Sequence, residues 1–541
     1  MRVLYYNCYL FTGRASDPLE LDFTVEDGVV VPDTLHVDKE VDLQGGFVTP
    51  VLLDTHTHPS YVAQTLSALA CTPPFVRSIE DMVTGLRDQA DMTAENPEQW
   101  VEGWGYDESL LEEGRSPTRA DLDRVSTTRP VFVRRSDCHS AVVNSFLLKA
   151  AGITRDTPDP AGGHIGRDKT GEPDGRLIET SAVRMVESLR ADESFEARVR
   201  FLSGLTEHYL SRGIGFVTEM MCQRGAQDLL PVWRAVREQG SPLSVALYLT
   251  WTGGADPFGM PDFTEDDKTG PVRYAGLKLF ADGSISGRTA ALRGAFLPKE
   301  GDEHPQGTMC LAEDVFKAGL AWARRNDVQL SVHVMGDRSI DTVLDWLEGE
   351  APWREGEPSV RLEHVSLLRP DQIDRIEKMP IQPGLTTQVI FPFAEWKGYE
   401  EVLPRDIFHA SYAVRTISER CEAFALSSDA PATTWSDPDQ PFVSIRAAVE
   451  RRDARGEPFG VDQAVSIETA LSLYTSRAAK VTTFATKGLM VPGEPAHFVL
   501  WNQNPFEVPV SRLDRVRAEK VWMHGEVVWE NDGDEEDVSE E

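Results

Sequence analysis

The sequence predicts an α/β protein with two parts. One is a central (β/α)8 TIM barrel that carries a long insertion, and the other is a small β domain built from both ends of the chain. The middle of the chain alternates short apolar runs with amphipathic stretches of helical period, as repeated strand–helix units do. Both ends instead contain short strand-like runs separated by turns.

One strand–helix–strand unit is clear in the middle of the chain. Its first helix has apolar or small residues at positions i, i+3, i+4 and i+7, which is typical of a helix with one buried face. His333 and His364 follow its two apolar strands and are about 30 residues apart, the length of one unit. Both are therefore expected at the carboxyl ends of neighbouring parallel strands. The predicted helices and strands of the unit are 313–325, 328–332, 339–347 and 360–363.

Eight apolar runs are candidates for the barrel strands. In chain order they are 48–53, 215–219, 243–249, 276–280, 328–332, 360–363, 384–390 and 424–428. The stretch from about 78 to 190, which holds a further strand at 130–135, does not fit this count. We expect it to be an insertion between the first and second strands of a barrel that spans 55–484.

The two ends of the chain are predicted to form one β domain, made of 1–54 and 485–541. The strand-like runs are 2–10, 21–25, 28–32, 40–48, 496–500 and 520–529. Two strand-rich ends on either side of an α/β middle can pair with each other. The last residues, 531–541, are mostly acidic and are expected to be disordered.

Composition excludes several classes of partner and environment. A formal net charge of -34 argues against binding to nucleic acid or to an anionic membrane. No apolar run is long enough to span a bilayer. The first ten residues read as a strand without a signal-peptide cleavage pattern, and the six Cys form no close pairs. We therefore expect reduced thiols and a cytoplasmic location.

The acidic excess also predicts a halophilic protein. The chain has twelve Lys against forty-two Arg, with 88 Asp and Glu. At 1 M salt the screening length falls to about 3 Å, so the self-repulsion of such a surface is tolerated. The alternative is an ordinary acidic enzyme.

The run 51–58 ends in His-x-His and is predicted to be a buried strand. Successive residues of a strand alternate between its two faces, so His56 and His58 point the same way and Thr57 points away. Two imidazoles on one face at a strand end can chelate one metal ion. Alone, such a pair is weak evidence, because exposed His pairs at this spacing occur by chance.

Three other predicted strand ends carry residues that can bind metal, and a fourth strand carries a Lys. His333, His364 and Asp429 follow apolar runs, and Lys278 lies inside the run 276–280. Each has a simpler reading when taken alone. The imidazoles could be hydrogen-bonded core residues, and Asp429 could cap a helix. Lys278 could pair with Asp282 or face solvent. In a parallel barrel the carboxyl ends of the strands meet on one face, so the set together predicts a metal site.

The order His-x-His, Lys, His, His, Asp resembles the amidohydrolase superfamily of metal-dependent hydrolases. In finer pattern it resembles the branch that contains N-substituted formamide deformylase. The matching segments are 49–58, 136–139 with Asn144, 278–284, 332–337, 362–364 and 427–431. Two segments depart from the pattern of that branch. The end of the second strand reads Thr-Glu-Met-Met at 218–221, where relatives often carry an Asp. The Gly-rich segment that usually precedes the first strand is reduced here to Gly45-Gly46-Phe47.

The resemblance implies a (β/α)8 barrel with a terminal β-sandwich, and a metal site with assigned ligands. One metal, zinc by its preference for imidazole and carboxylate, would be held by His56, His58, Lys278 and Asp429. A second would be held by His333, His364 and the same Lys278, carboxylated by carbon dioxide to a bridging anion. The number of metals, one or two Zn²⁺ ions, is left open.

The same resemblance suggests catalytic roles. Asp429 would act as general base towards water and then as general acid towards the leaving nitrogen. His139, within the insertion, would help to bind the carbonyl oxygen or to position the substrate, with a surface His as the alternative. Asp337, Asn144 and Glu179 are weaker pocket candidates.

These residues predict a hydrolase of non-peptide C–N bonds, an amide in a small molecule. A single-metal deaminase of a cyclic amidine is the enzymatic alternative, and the status of Lys278 separates the two. A non-catalytic, metal-stabilised binding or regulatory protein is the third reading. The presence of Asp429 argues against it, since a structural site needs no acid–base residue. The oligomeric state is left open, with a homodimer as one alternative.

Overall fold

The computed structural model describes residues 1–531 with short gaps and contains three β-sheets. The residues left out are 17–18, 33–35, 97, 137–139, 161–162, 191–193, 226, 252–260, 300–301, 303 and 532–541. The side chains of Glu20 and Thr180 are also not described. The acidic end for which disorder is predicted therefore lies outside the described residues, except for Asn531.

The chain begins with four strands of the first sheet: β1 Arg2–Leu10, β2 Glu20–Glu26, β3 Val29–Val31 and β4 Lys39–Pro50. β1 pairs antiparallel with β2 and parallel with β4. The β1–β4 register shifts between Tyr6 and Cys8, where Asn7 has a φ of 57°. This bulge is why the buried positions of β1 change from odd numbers (Val3, Tyr5) to even numbers (Cys8, Leu10).

The first barrel strand, β5, is Leu52–Thr57, and helix α1, Pro59–Thr65, follows it. The predicted strand at 48–53 is displaced, because its first three residues end β4 and pair with the C-terminal part of the chain. The apolar run is continuous across both strands, so hydropathy alone could not separate them. The shift places His56 inside the barrel strand.

Between β5 and the second barrel strand lies a second sheet of six strands, in the order β10-β11-β9-β8-β7-β6. Its elements are β6 Leu69–Ala70, α2 Ile79–Met92, β7 Val101–Tyr106, α3 Arg119–Leu122, β8 Val131–Arg135, β9 Ala141–Val143, α4 Ser145–Ala150, β10 His164–Arg167, β11 Pro173–Ile178 and α5 Thr180–Glu187. Two apolar clusters of its own pack this sheet. Helices α6 Phe195–Ser203 and α7 Leu205–Leu210 then lead to the next barrel strand.

The remaining barrel elements alternate strands and helices. They are β12 Ile214–Cys222, α8 Leu230–Glu238, β13 Ser244–Thr250, β14 Val272–Phe280, α9 Glu313–Asn326, β15 Gln329–Val334, α10 Asp337–Leu347, β16 Val360–His364, α11 Pro370–Ile376, β17 Gly384–Thr387, α12 Ile390–Ala394, α13 Trp396–Val402, α14 Arg405–His409, α15 Val414–Arg420, β18 Phe424–Leu426, α16 Pro441–Glu450, α17 Ile467–Ser472 and α18 Ser476–Val481. The eight strands run parallel in the order β5, β12 and on to β18. The predicted fold class is confirmed.

Two details of the barrel differ from the prediction. The buried face of α9 includes Phe316 and Leu320, while Val315 is only half-buried, so the face is rotated from the predicted one. The seventh strand ends at Thr387, and the predicted continuation to 390 is replaced by a turn after which Ile390 begins α12. As a result Phe391 lies beside the barrel mouth.

The barrel closes at its mouth through contacts between the segments after its first and last strands. The backbone N–H of Asp429 donates to the carbonyl of His56 at 2.8 Å, and that of His58 donates to the carbonyl of Ala430 at 2.9 Å. The Ser428 hydroxyl donates to the carboxyl of Asp54 at 2.5 Å. These bonds hold Asp429 beside the His-x-His pair.

The C-terminal part of the chain returns to the first sheet with β19 Phe498–Trp501, β20 Ala518–Met523 and β21 Glu526–Glu530. The seven strands lie in the order β21-β20-β19-β4-β1-β2-β3. Aromatic rings from both ends of the chain share its core: Phe498 stacks on Trp522 at 4.5 Å between centroids and meets Tyr5 at 5.1 Å. The sheet fits the predicted small β domain, whose exact limits stay a prediction. Within the described part of the chain, no helix combines the length and apolar character that crossing a membrane requires.

Candidate metal centre

Four imidazoles from three barrel strands gather at the mouth. His56 and His58 come from the end of β5, His333 from β15 and His364 from β16. Their ring centroids are 5.7 Å apart for His58 and His56, 4.7 Å for His56 and His364, and 4.3 Å for His364 and His333. The structure thus brings together the four histidines that the sequence singles out.

Asp429 lies at the centre of this group. Its Oδ1 is 2.9 Å from His58 Nε2 and 3.3 Å from His56 Nε2, and its Oδ2 is 3.7 Å from His364 Nδ1. His56, His364 and Asp429 offer ligand atoms that all lie within 4.8 Å of one another. Burial opposes ionisation of Asp429, but the neighbouring histidines outweigh it and hold the pKa of the carboxyl well below its usual value. The group is therefore ready to act as an anionic ligand.

Lys278 projects from β14 into the same region. It is only 1% exposed, and its Nζ has no hydrogen-bond partner among the described residues. Burial lowers the pKa of this amine to about 8, against the raising effect of the Glu363 and Asp429 carboxylates. The alternative pairing with Asp282 is not found, because the Asp282 carboxyl accepts hydrogen bonds from the backbone of Ala291, Met335 and Gly336 instead.

The donor set fits a divalent cation. Besides Lys278 Nζ, the buried Oδ1 of Asp429 lacks a hydrogen bond of good geometry in the described structure. Buried polar atoms without partners cost about 1–3 kcal/mol each, so a group that binds both removes a substantial penalty. Imidazole and carboxylate ligands suit zinc.

Backbone strain lets two consecutive residues face the site. Glu363 Oε2 is 2.8 Å from His56 Nδ1, and the ring of His364 lies 4.7 Å from the same imidazole. In a regular strand these neighbours would point to opposite faces. His364 and Val365 instead have φ values of 72° and 36°, and Asp429 has 53°. Such conformations cost about 1–3 kcal/mol each and are concentrated at functional sites.

Each imidazole is held from outside by a different group. His56 Nδ1 donates to Glu363, and His364 Nδ1 donates to Gln388 Oε1 at 2.9 Å. His333 Nε2 donates to the carbonyl of Gly283 at 3.2 Å. His58 Nδ1 faces Glu219 Oε1 at 3.7 Å. In every case the other ring nitrogen stays available for a metal, the usual arrangement around metal-binding histidines.

These environments move the histidine pKa values in opposite directions. Burial disfavours a charged imidazolium at His58, but the carboxylates of Asp429 and Glu219 outweigh it and raise its pKa to about 9. At His333, burial and the nearby charge of Lys278 lower the pKa to about 3. His333 is therefore a neutral imidazole at physiological pH, the form that binds metal.

Sequence reasoning did not assign roles to the groups that hold the ligands. In the sequence, Glu363 lies within a segment that matches the family, Glu219 lies in a segment that departs from it, and Gln388 belongs to neither. A signal did exist for one of them. Arg361 and Glu363 are two charges at alternate positions of an otherwise apolar strand, which indicates a buried ion pair.

Other predicted pocket residues have structural partners or lie outside the described residues. Asn144 caps α4 by accepting from the N–H of Leu147 at 3.2 Å, and its amide donates to two carbonyls of the insertion. Asp337, at the start of α10, accepts from the backbone N–H of Arg293 at 2.8 Å. Glu179 precedes α5 in the insertion, with a φ of 68°. His139 falls among residues 137–139, outside the described residues, so its role stays a prediction.

Aromatic side chains flank three of the imidazoles. Phe391 of α12 stacks on His364 with 6.4 Å between ring centroids, and Phe280 is 5.5 Å from His333. Tyr61 of α1 meets His58 edge-on at 6.0 Å. The walls beside the site are thus partly apolar, a common feature of small-molecule pockets.

A parallel eight-stranded barrel with imidazoles and a carboxylate gathered at the carboxyl ends of its strands defines a class, the metal-dependent hydrolases. Comparison with known proteins agrees. Residues 39–529 match the model of the amidohydrolase family, and the chain belongs to this family.

Individual relatives cover nearly the whole chain. It is 26% identical to the putative amidohydrolase YtcJ of Bacillus subtilis, over 98% of this chain and 100% of that protein. It is 25% identical to N-substituted formamide deformylase of Arthrobacter pascens, over 94% of this chain and 92% of that protein. Among solved structures, an uncharacterised metal-dependent hydrolase from Pyrococcus horikoshii shares the fold, with a TM-score of 0.72, 24% identity and coverage of 94% and 99% of the two chains.

Proposed function

We propose that this hydrolase cleaves a non-peptide C–N bond, an amide, in a small molecule, with one or two zinc ions as cofactor. The observation that carries the proposal is the buried carboxylate of Asp429, whose oxygens lie 2.9 to 3.7 Å from ring nitrogens of His56, His58 and His364. The relative named as an N-substituted formamide deformylase supports the choice of an amide.

Zinc, when bound, would polarise a carbonyl and lower the pKa of a water molecule towards about 7. His56, His58, His333 and His364 would each offer the ring nitrogen that does not face the outer partner to hold it. Asp429 would take the proton of the attacking water and deliver it to the leaving nitrogen, so that the amine departs neutral. The aromatic rings of Phe280 and Phe391 would exclude bulk water and receive an apolar part of the substrate.

Lys278 is proposed to act as a carbamate. Its amine, neutral once deprotonated, would add to carbon dioxide, forming an N–C bond and releasing one proton to give an anion. Burial without a hydrogen-bond partner supports this role, since a free ammonium in that position is costly. The carbamate would be an anionic ligand shared by the two halves of the centre. One half consists of His56 and His58, and the other consists of His333 and His364.

The test is a hydrolysis assay on the zinc-loaded protein with a panel of substrates. We expect amine release from N-substituted formamides or other simple amides, and none from peptides. Asp429→Asn should lower kcat by roughly 10²- to 10⁴-fold while zinc is still bound, because a carboxamide cannot relay the proton. Asp437→Asn, at a surface carboxylate that pairs with Arg212, is the matched control and should retain activity.

Two outcomes would redirect the assignment. Ammonia released from cyclic amidines by a protein with one zinc would favour the deaminase. A protein that binds metal tightly, is inactive on every substrate and is unaffected by Asp429→Asn would favour the regulatory reading.

We further propose that the protein acts in a reducing, salt-rich cytoplasm on small molecules, without nucleic acid or membrane as a partner. The thiols of Cys71, Cys222, Cys310 and Cys421 form no disulfide, and the net charge of -34 repels polyanions. A homodimer stays an open alternative.

A further inference from the structure

Glu363 is a carboxylate with several hydrogen-bond donors at the floor of the metal centre. It is fully buried, and its carboxylate accepts from His56 Nδ1 at 2.8 Å, Ser331 Oγ at 2.8 Å, Thr386 Oγ1 at 2.5 Å and Arg361 Nη2 at 3.1 Å. Four donors saturate the carboxylate and fix its position. The hydrogen bond to His56 is the one that reaches a predicted metal ligand.

Arg361 supplies the opposite charge and ties Glu363 to the rest of the barrel. Its guanidinium donates to the carbonyl of Thr55 at 2.7 Å and to the hydroxyl of Tyr248 at 3.2 Å. With Ser331 and Thr386, the network joins β5, β13, β15, β16 and β17. The network from five strands keeps the Glu363 carboxylate in place, so a rotation of the His56 ring would break the hydrogen bond between them. The carboxylate therefore fixes the orientation of the imidazole.

The four histidines differ in the charge of the group behind them. His56 bonds a carboxylate, and His58 faces the Glu219 carboxylate, which the N–H groups of Ser60 and Met221 hold in place. His333 and His364 donate to neutral oxygens, a backbone carbonyl and the amide of Gln388, and the Asp282 carboxylate lies 3.6 Å from His333 Nε2, beyond hydrogen-bond range. The direct hydrogen bond between Glu363 and His56 is therefore what distinguishes the His56–His58 half. A carboxylate behind an imidazole raises the basicity of its free nitrogen, and a neutral oxygen does so less.

We propose that Glu363 is a positioning residue that fixes His56 with its proton on Nδ1 and Nε2 free, and that its charge makes the His56–His58 half of the centre bind metal more tightly than the His333–His364 half. The His56–His58 half then fills first. This inference rests on the proposed metal centre, and it adds an order of loading.

The first experiment titrates zinc into the metal-free full chain in competition with a chromophoric chelator, which yields the number of ions and their Kd values. The wild type should show a tight first zinc. Glu363→Gln keeps the size of the side chain and an acceptor oxygen but removes the charge. It should weaken the first zinc by about 10- to 100-fold, the usual cost of losing such an outer partner.

Glu422→Gln is the matched control. It makes the same substitution at an exposed carboxylate that pairs with Lys480, so the first Kd should change by less than about 3-fold. Circular dichroism checks that each variant is folded. A first zinc that binds Glu363→Gln as tightly as it binds wild type would overturn the proposal.

A second comparison does not depend on Glu363→Gln folding. His58→Ala should abolish the tight zinc, whereas His333→Ala should retain one ion with the Kd of the wild-type first step. The reverse pattern would show that the other half fills first and would contradict the inference. A wild-type chain that binds no zinc would instead refute the metal centre itself, so the two failures are distinguishable.

Discussion

At the scale of single residues, Lys278 is the side chain whose state separates the possible reactions. It is buried in β14 with an amine that has no hydrogen-bond partner among the described residues. A carbamate there would be an anionic ligand, while a free amine would be a buried cation beside the ring nitrogens.

We expect Lys278→Ala and Lys278→Arg both to lose one or two zinc ions and most activity. A guanidinium stays protonated and cannot add carbon dioxide. Arg therefore keeps a positive charge at this position but cannot supply the anionic ligand. Metal analysis of the purified variants measures the loss, and short carboxylates added to Lys278→Ala should restore part of it. Lys487→Ala, at an exposed lysine that pairs with Glu494, is the control. Full zinc content in Lys278→Arg would exclude the bridging role and favour the single-metal deaminase.

The buried pair Arg361–Glu363 provides a second prediction at this scale. Both side chains are 0% exposed. Arg361→Met leaves the carboxylate uncompensated and should lower the free energy of unfolding by about 3–5 kcal/mol, while adding Glu363→Gln should recover much of that loss because no lone charge remains. Urea unfolding in the presence of a chelator measures both.

Arg415→Met breaks an exposed pair with Glu419 and serves as the control. Its effect should stay within about 0.5 kcal/mol, as for most surface pairs. A double variant as unstable as Arg361→Met would mean that the hydrogen bonds of the guanidinium, and not its charge, carry the stability.

At the scale of elements, the site depends on how the barrel is closed. β5 and β18 are joined through the segments that follow them, where the backbone of Asp429 and His58 bonds across the seam. The strands of the terminal sheet support the same region, because β4 runs into β5 and pairs with β19. The candidate metal ligands of β5 are thus anchored by an element from the other end of the chain.

Removal of β19–β21 should therefore cause aggregation. A chain that ends at Ala485 loses Phe498 and Trp522, exposes Tyr5 and leaves the edge of β4 unpaired. Size-exclusion chromatography with light scattering reports the outcome. A chain that ends at Asn531 lacks only the acidic end and should remain soluble. A soluble monomer ending at Ala485 would contradict this account of the terminal sheet.

At the scale of the whole molecule, the large negative net charge is the main influence on how stability depends on salt. With 88 acidic side chains against 54 Lys and Arg, the surface repels itself, and the repulsion reaches about 30 Å at 0.01 M salt but about 3 Å at 1 M. Many arginines nevertheless pair with carboxylates, such as Arg293 with Asp341 and Asp371. Local pairing reduces the excess charge without removing it.

We expect Tm to rise from dilute buffer to molar KCl, because screening relieves the repulsion that weakens the compact state. Thermal unfolding followed by circular dichroism across a series of KCl concentrations measures this. An equal ionic strength of NaCl should give the same rise if screening is the cause. A Tm independent of salt would indicate an ordinary acidic enzyme.

The sequence by itself determined the barrel, its long insertion and the chain order of six candidate ligands. These rest on local patterns: apolar runs of strand length, and His56, His58, Lys278, His333 and His364 at or near their ends. A parallel barrel then brings strand ends together without further information. Asp429 followed from the same reasoning at the last strand.

Only the tertiary structure decided what surrounds those ligands. His56 and Glu363 are 307 residues apart in the chain, and no periodicity links them. The boundary between β4 and β5 lies inside one apolar run and is set by pairing with β19. Likewise Glu363 and His364 both reach the site only because the backbone enters a left-handed conformation, which a strand pattern cannot show. The ligands are local features of the sequence, whereas their partners depend on distances that exist only after folding.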